Sequence, residues 1–233
     1  MLYNEQRSLI GKTYKQVNPF KAKIIGSSII AKNIAIHIEK NFQNKIAEVY
    51  DRKFKELGPV PEASLWYSGN RQTLRFRVIT EQFLKYNAEQ LLRIGDIGCG
   101  YGAYFTFLSS LYPNKFKYYY GFDISSNLIN YCQEKHLSDR ASFFLSSKPH
   151  IPMDFTVMSG TYNFFPSSSF SDWLDYFLTS LNEIWNKTEI GMGFNLQIAA
   201  QRKITNQGIV YFSDDEIVSY CEKYFGVTTV IYN

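Results

Sequence analysis

At 233 residues, with 45% hydrophobic and 20% charged residues, the chain has enough apolar material to bury a substantial core, which excludes a disordered polypeptide. A formal charge of +4 permits a nucleic-acid partner without demanding one. Cys99, Cys132 and Cys221 are scattered, with no pair at metal-ligand or redox spacing, a pattern suited to a reducing, cytoplasmic setting.

No basic segment followed by an apolar run opens the chain, so no secretory signal is expected. Residues 1–27 are polar and irregular, with Pro19 and Gly26 as breakers. From Ser28 onward Ile29, Ile30, Ile34, Ile38 and Phe42 recur at three- and four-residue steps, which predicts a helix. Its apolar face continues through Ile46, Val49 and Tyr50 towards Phe54, and Gly58-Pro59-Val60-Pro61 stops it. The apolar tract from Ile24 to Ile38 is broken by Lys32, Asn33 and His37, so it is too short and too polar to span a bilayer. A second helix is predicted from Gln72 to Leu92, with Leu74, Val78, Phe83 and Leu84 facing inwards.

Arg93-Ile94-Gly95-Asp96-Ile97 then reads as a short buried strand that breaks into Gly98-Cys99-Gly100-Tyr101-Gly102, with a helix resuming at Tyr104. Glycines at alternate positions permit positive φ and let the backbone approach a ligand closely. The helix start beyond them suits an anionic group. Two cofactor classes use such a turn. Read as Gly98-x-Gly100-x-x-Ala103, with Asp123 lying 20 residues further on, it matches a nicotinamide dinucleotide fingerprint. Read as Asp96-x-Gly98-x-Gly100-x-Gly102, it resembles motif I of the class I S-adenosylmethionine-dependent methyltransferases. A carboxylate at Asp96 would repel a pyrophosphate, which favours the second reading over a dehydrogenase.

Later segments continue this resemblance in the family's order. Lys117 to Ser125 is similar to its second strand, ending in the ribose-binding acid at Asp123; a carboxylate suits two vicinal hydroxyls. A helix over Ser126–Lys135 follows, then strands over Ala141–Leu145, Met153–Gly160 and Ile190–Leu196. The implied fold is α/β: a Rossmann-like, mostly parallel sheet with helices on both faces. Residues 1–76 form an N-terminal helical cap and 77–233 the methyltransferase core. The resemblance assigns cofactor contacts to Asp96, Gly98, Cys99, Gly100, Gly102, Asp123, Ile124, Ser159 and Gly160, and implies S-adenosylmethionine as cofactor with S-adenosylhomocysteine as product. Trp66 to Phe76 is similar to an element preceding motif I. There Arg75, deeper in the helix than Arg71, would clamp the cofactor carboxylate, with Trp66 and Tyr67 shielding the sulfonium. Relatives often carry an acid or amide after the third strand for adenine. Here the segment is Leu145-Ser146-Ser147-Lys148, so a backbone group or a serine hydroxyl would serve.

On the acceptor side, Ser159 to Pro166 forms the loop at the carboxyl end of a central strand, where open α/β sheets bind ligands. Tyr162 and Asn163 are the candidates for orienting the acceptor, beside Trp66 and Tyr67. The Asn/Asp-Pro-Pro-Tyr tetrapeptide of nucleic-acid and glutamine amino methyltransferases is absent, which argues against an adenine, cytosine or glutamine nitrogen as acceptor. With no separate nucleic-acid or protein-docking domain apparent, a small molecule is the preferred acceptor, with nucleic acid or protein left open. His37, His136 and His150 are dispersed; none is a convincing base, His37 reads as packing and His136 as a helix end, and no metal site is expected. A binding module that holds the cofactor without transferring a methyl group is the non-enzymatic alternative. The acceptor atom, any general base and the oligomeric state stay open. At the end, Ser213 and Glu216 predict a capping box opening a helix to about Phe225, and Val227–Tyr232 a sixth strand. The family's seventh, antiparallel strand would then be missing or supplied by another segment or subunit.

Overall fold

The computed structural model describes residues 7–8, 29–66, 68–86, 91–166 and 169–232. Five parallel strands form the central sheet: β2 (Leu92–Ile97), β3 (Phe116–Asp123), β4 (Ala141–Leu145), β5 (Met153–Ser159) and β6 (Thr188–Asn195), after β1 (Arg7–Ser8) at the start of the chain. Their order, β4-β3-β2-β5-β6, reverses direction of growth between β2 and β5. Such a switch point opens a crevice at the carboxyl ends of the strands, where ligands bind in open α/β sheets. Most residues of β2 and β5 are buried, as expected for central strands covered on both faces.

Helices cover both faces. On one lie α1 (Ile29–Leu57), α5 (Phe170–Trp185) and α6 (Asp214–Tyr224), around Phe42, Ile46, Trp173, Phe177, Phe194 and Ile217. On the other lie α2 (Gly69–Tyr86), α3 (Ala103–Leu111) and α4 (Ser126–Lys135), around Phe76, Ile79, Tyr104, Phe105, Ile129 and Tyr119. The last strand of the main sheet leads into a small second sheet of order β1-β7-β9-β8, with β7 (Gln197–Ile198), β8 (Lys203–Ile204) and β9 (Val210–Phe212).

Most expected elements occur where the periodicity puts them, and the departures have local causes. Helix α2 ends at Tyr86 and turns Leu74 outwards, leaving it 49% exposed. Its inward stripe instead runs through Gln72, Phe76, Ile79 and Phe83, one face of a 3.6-residue repeat that Leu74 falls outside. His37, read as packing, is exposed. The capping box at Ser213 does not form: Ser213 is the N-cap of α6, but its side chain makes no cap hydrogen bond. Asp214, Asp215 and Glu216 still place negative charge at the positive end of the helix.

The sixth strand also does not form. Residues 227–232 carry β-branched side chains, yet they join no ladder among the described residues. Val230 instead packs on the cluster of one sheet face and Ile231 on that of the other, while the Tyr232 hydroxyl donates to Asp214 Oδ2 at 2.9 Å. β-propensity reflects packing and pairing, and here the side chains of Val230 and Ile231 pack on the core although the segment joins no described sheet. No seventh strand is present in the main sheet among the described residues.

Candidate functional site

The crevice at the carboxyl ends of β2, β3 and β5 is a cleft of about 930 Å³, open mouth included. Its floor is the turn between β2 and α3. Gly98 adopts φ +74°, and a Cβ there would stand 2.7 Å from Thr161 Cγ2, so only glycine fits. Thr161 in turn donates its hydroxyl to the Ile97 carbonyl at 2.7 Å, tying the turn to the loop after β5. His136 supports the turn from below, its Nε2 lying 2.9 Å from the Tyr101 carbonyl oxygen.

Asp123 ends β3 inside this cleft. The Gly100 amide donates to its Oδ2 and the Ser125 amide to its Oδ1, both at 2.9 Å. Burial pushes its carboxyl above the usual range, and these backbone donors oppose that shift. The Ile124 amide is a third backbone donor, which leaves the carboxylate acceptor capacity for a ligand hydroxyl. Asp96 ends β2 beside it, 2% exposed, with the Tyr119 hydroxyl donating to Oδ2 at 2.5 Å. Burial pushes its carboxyl up to about 7; the Tyr119 hydrogen bond opposes this and the charge of Asp123 adds to it. Two buried carboxylates thus face a cleft that supplies no cation among its lining residues.

Cys99 and Ile124 also line the cleft, as do Gly98, Gly100, Ser159, Gly160, Trp66 and Tyr162. Burial, then the contact with Cys132, pushes the Cys99 thiol up, so it stays protonated and is no activated nucleophile. Ser159 Oγ is buried without a hydrogen-bond partner among the described residues. Gly102 is buried at the N-cap of α3 rather than in the cleft wall. Tyr162 is 4% exposed and packs on Trp173, Tyr176 and Phe177, so only part of it faces the cleft. Asn163 lies outside this cleft: its Oδ1 accepts the Gln197 amide at 3.1 Å. Tyr67 lies outside the described residues.

Arg75 is 5% exposed, and its Nη1 has no hydrogen-bond partner among the described residues. Its guanidinium lies over the ring of Trp66, 5.2 Å from the centroid. The flanking residues of its helix, Gln72 and Phe76, line the cleft, and Arg75 itself does not. Burial, with the charge of Arg71 second, brings it down to about 10, still a cation at neutral pH.

Several lining residues carry no sequence signal. Tyr50, on the apolar stripe of α1, reaches the cleft; burial and then the charge of Asp123 raise its phenol well above the ordinary value. The next residue, Asp51, accepts the hydroxyl of Ser125, the N-cap of α4. Gln72 accepts the Tyr101 hydroxyl at 3.1 Å, joining α2 to the glycine turn across the opening. After β4, Ser146 spends its hydroxyl on Lys148, donating to its carbonyl and accepting its amide, whereas Ser147 lines the cleft without that commitment. Among the described residues no His/Cys/Asp/Glu group could hold a metal ion.

No protein-family model and no curated protein sequence matches the chain. Among solved structures it is similar to an S-adenosylmethionine-dependent methyltransferase of the DUF858 family from Leishmania major. The TM-score is 0.55 at 12% identity, over 75% of this chain and 72% of that one. It is also similar to the plantazolicin methyltransferase BpumL with bound S-adenosylhomocysteine and a desmethyl-plantazolicin analogue (TM-score 0.43, 16% identity, 67% of this chain). A third is the cyclase SpnF (TM-score 0.44, 15% identity, 64% of this chain). The chain spans 57% of the length of each of these last two. With the parallel sheet, its switch point and helices on both faces, the first likeness shows that the chain has the Rossmann-like fold of the class I S-adenosylmethionine-dependent methyltransferases.

Proposed function

We propose that the chain binds S-adenosylmethionine in this cleft and directs its methyl group to a nucleophile on a small molecule. The observation that carries the reading is the pair of buried acids, Asp96 and Asp123, at the ends of adjacent strands around the glycine turn. Asp123 would accept from the ribose hydroxyls, and Asp96 from the methionine ammonium. The unpartnered Nη1 of Arg75 fits the cofactor carboxylate, and Ile124, Leu128 and Ser147 offer an adenine wall. A dehydrogenase reading has no use for Asp96, whose charge would oppose a pyrophosphate.

When bound, the cofactor supplies a methyl group on a sulfonium whose positive charge already activates the leaving group. The protein's task is therefore alignment and exclusion of water. Tyr50 and Trp66 wall the cleft from the side of α1 and of the segment before α2. The described titratable residues of its wall are Asp96, Asp123, Cys99 and tyrosines, and both acids are taken by the cofactor in this reading, so no wall residue is assigned as a base. Among the described residues no helix is long and apolar enough to cross a membrane.

Asp123→Ala tests the assignment. Hydrogen bonds to a charged group contribute about 1.5–3 kcal/mol each, so S-adenosylhomocysteine should bind at least roughly tenfold more weakly by calorimetry. Turnover over a panel of acceptors separates an enzyme from a binding module. Unchanged affinity in a folded variant would overturn the cofactor assignment.

A further inference from the structure

A second cavity, of about 840 Å³ with its mouth, adjoins the cofactor cleft. Tyr50, Ser64, Trp66 and Gly160 line both, so the two cavities adjoin along a shared wall. At that wall Gly160 has φ +83°, and a Cβ would stand 3.0 Å from Trp66 Cζ2. The missing side chain lets the loop after β5 pack directly against the indole where the two cavities meet. Beyond it the cavity is walled by the small second sheet and its turns, through Gln197, Thr205, Gln207 and Tyr211.

We infer that this second chamber is the acceptor site, and that it takes a neutral, flat molecule bearing a hydrogen-bond donor. The claim that its occupant is the methyl acceptor rests on the proposed methyltransferase function; the claim about its chemistry does not. Three observations carry it. No Asp, Glu, Lys, Arg or His is among the described lining residues; Arg75 and Lys203 ride on the rings of Trp66 and Tyr211 without lining the chamber, so a charged ligand would lose its hydration without a counter-charge in the wall. Flat walls come from Trp66, Tyr50, Phe164 and Tyr211, with Tyr50 and Phe164 in edge contact at 6.4 Å. Gln197 Oε1 is buried and has no partner among the described residues, an acceptor awaiting a donor.

Gln197 is also held in place. Its amide donates to Asn163 Oδ1 at 3.1 Å, and its β7 position pairs with Tyr211 of β9. Asn163, expected to orient the acceptor, lines this same chamber and also fixes the Gln197 amide.

The experiment uses three fragments of similar size: neutral 4-hydroxybenzamide, anionic 4-hydroxybenzoate and cationic tyramine. Each is titrated into the 15N-labelled chain with and without S-adenosylhomocysteine, following the amide signals of Gln197 and Tyr211. The neutral fragment should shift these signals with at least roughly tenfold higher affinity than either charged one. Gln197→Met, which keeps the length and removes the carbonyl, should weaken the neutral fragment about two- to tenfold. Gln207 is exposed, so Gln207→Lys leaves the fold intact and should raise the affinity of the anionic fragment relative to the neutral one. Equal or preferred binding of a charged fragment by the unaltered chain, or no fragment shifting these signals, overturns the inference. Neutral-selective shifts with no S-adenosylhomocysteine binding would uphold the chamber's chemistry and sink the methyltransferase reading instead.

Discussion

At the scale of single residues, the site is defined by charges that the folded chain buries without full compensation. Arg75 is the plainest case. A guanidinium with an unpartnered N–H is costly inside a protein, and its contact with the face of Trp66 offsets only part of that cost. A ligand carboxylate would complete it. Arg75→Ala should then weaken S-adenosylhomocysteine by about tenfold to a hundredfold, from the loss of a charge-assisted pair. Adenosine, which has no carboxylate, should lose far less. Parallel calorimetric titrations of both ligands check this; equal losses would make Arg75 a support for Trp66 rather than a clamp.

At the scale of elements, α1 does two jobs at once. Its stripe of Ile38, Phe42, Ile46 and Tyr50 packs on the core, and Tyr50 and Ile46 also line the cleft. Phe42 is 5% exposed and meets Trp173 edge-on at 5.5 Å and Tyr176 at 5.4 Å. We therefore treat the expected N-terminal cap as packed into the same core as α5. Phe42→Ala should cost about 3–5 kcal/mol of global stability, as large-to-small core substitutions do. Urea denaturation followed by tryptophan fluorescence, with Trp173 beside the altered site, reads this directly. A midpoint unchanged from wild type would mean that α1 is a detachable lid.

For the whole molecule, the buried acids couple stability to pH. Asp96 titrates at about 7 in the folded chain against an ordinary 3.8. Between those values the folded chain holds a proton that the unfolded chain releases, so this contribution is full below pH ~4 and is lost as pH rises through ~7. Asp96→Asn removes the titration while keeping an oxygen for the Tyr119 hydroxyl. The variant should melt higher than wild type at pH 8, with a smaller difference at pH 5, and should bind S-adenosylhomocysteine more weakly at both. The same difference in melting temperature at both pH values would contradict this. The acid that suits the ligand's ammonium destabilises the ligand-free fold, a trade-off common at functional sites.

The local chemistry was legible in the sequence because it is encoded locally. Asp96, the alternate glycines and Asp123 lie on one strand-turn-helix-strand run, and their types and spacing set the turn, its positive φ values and the acids at the strand ends. The helical periods of α1 and α4 likewise predicted their extents. What depended on partners far along the chain was not legible. Leu74 reads as core by composition but points outwards, and Val227–Tyr232 reads as a strand but has no ladder to join. Asn163 was visible as a loop amide, whereas its bond to Gln197 exists only once β7 folds back beside it. Tyr50 and Gln197 carry no motif and enter the site through packing. Spacing along the chain determines turns and helix faces, but burial, strand pairing and the shape of a cavity depend on which distant segments meet, and only the tertiary structure decides that.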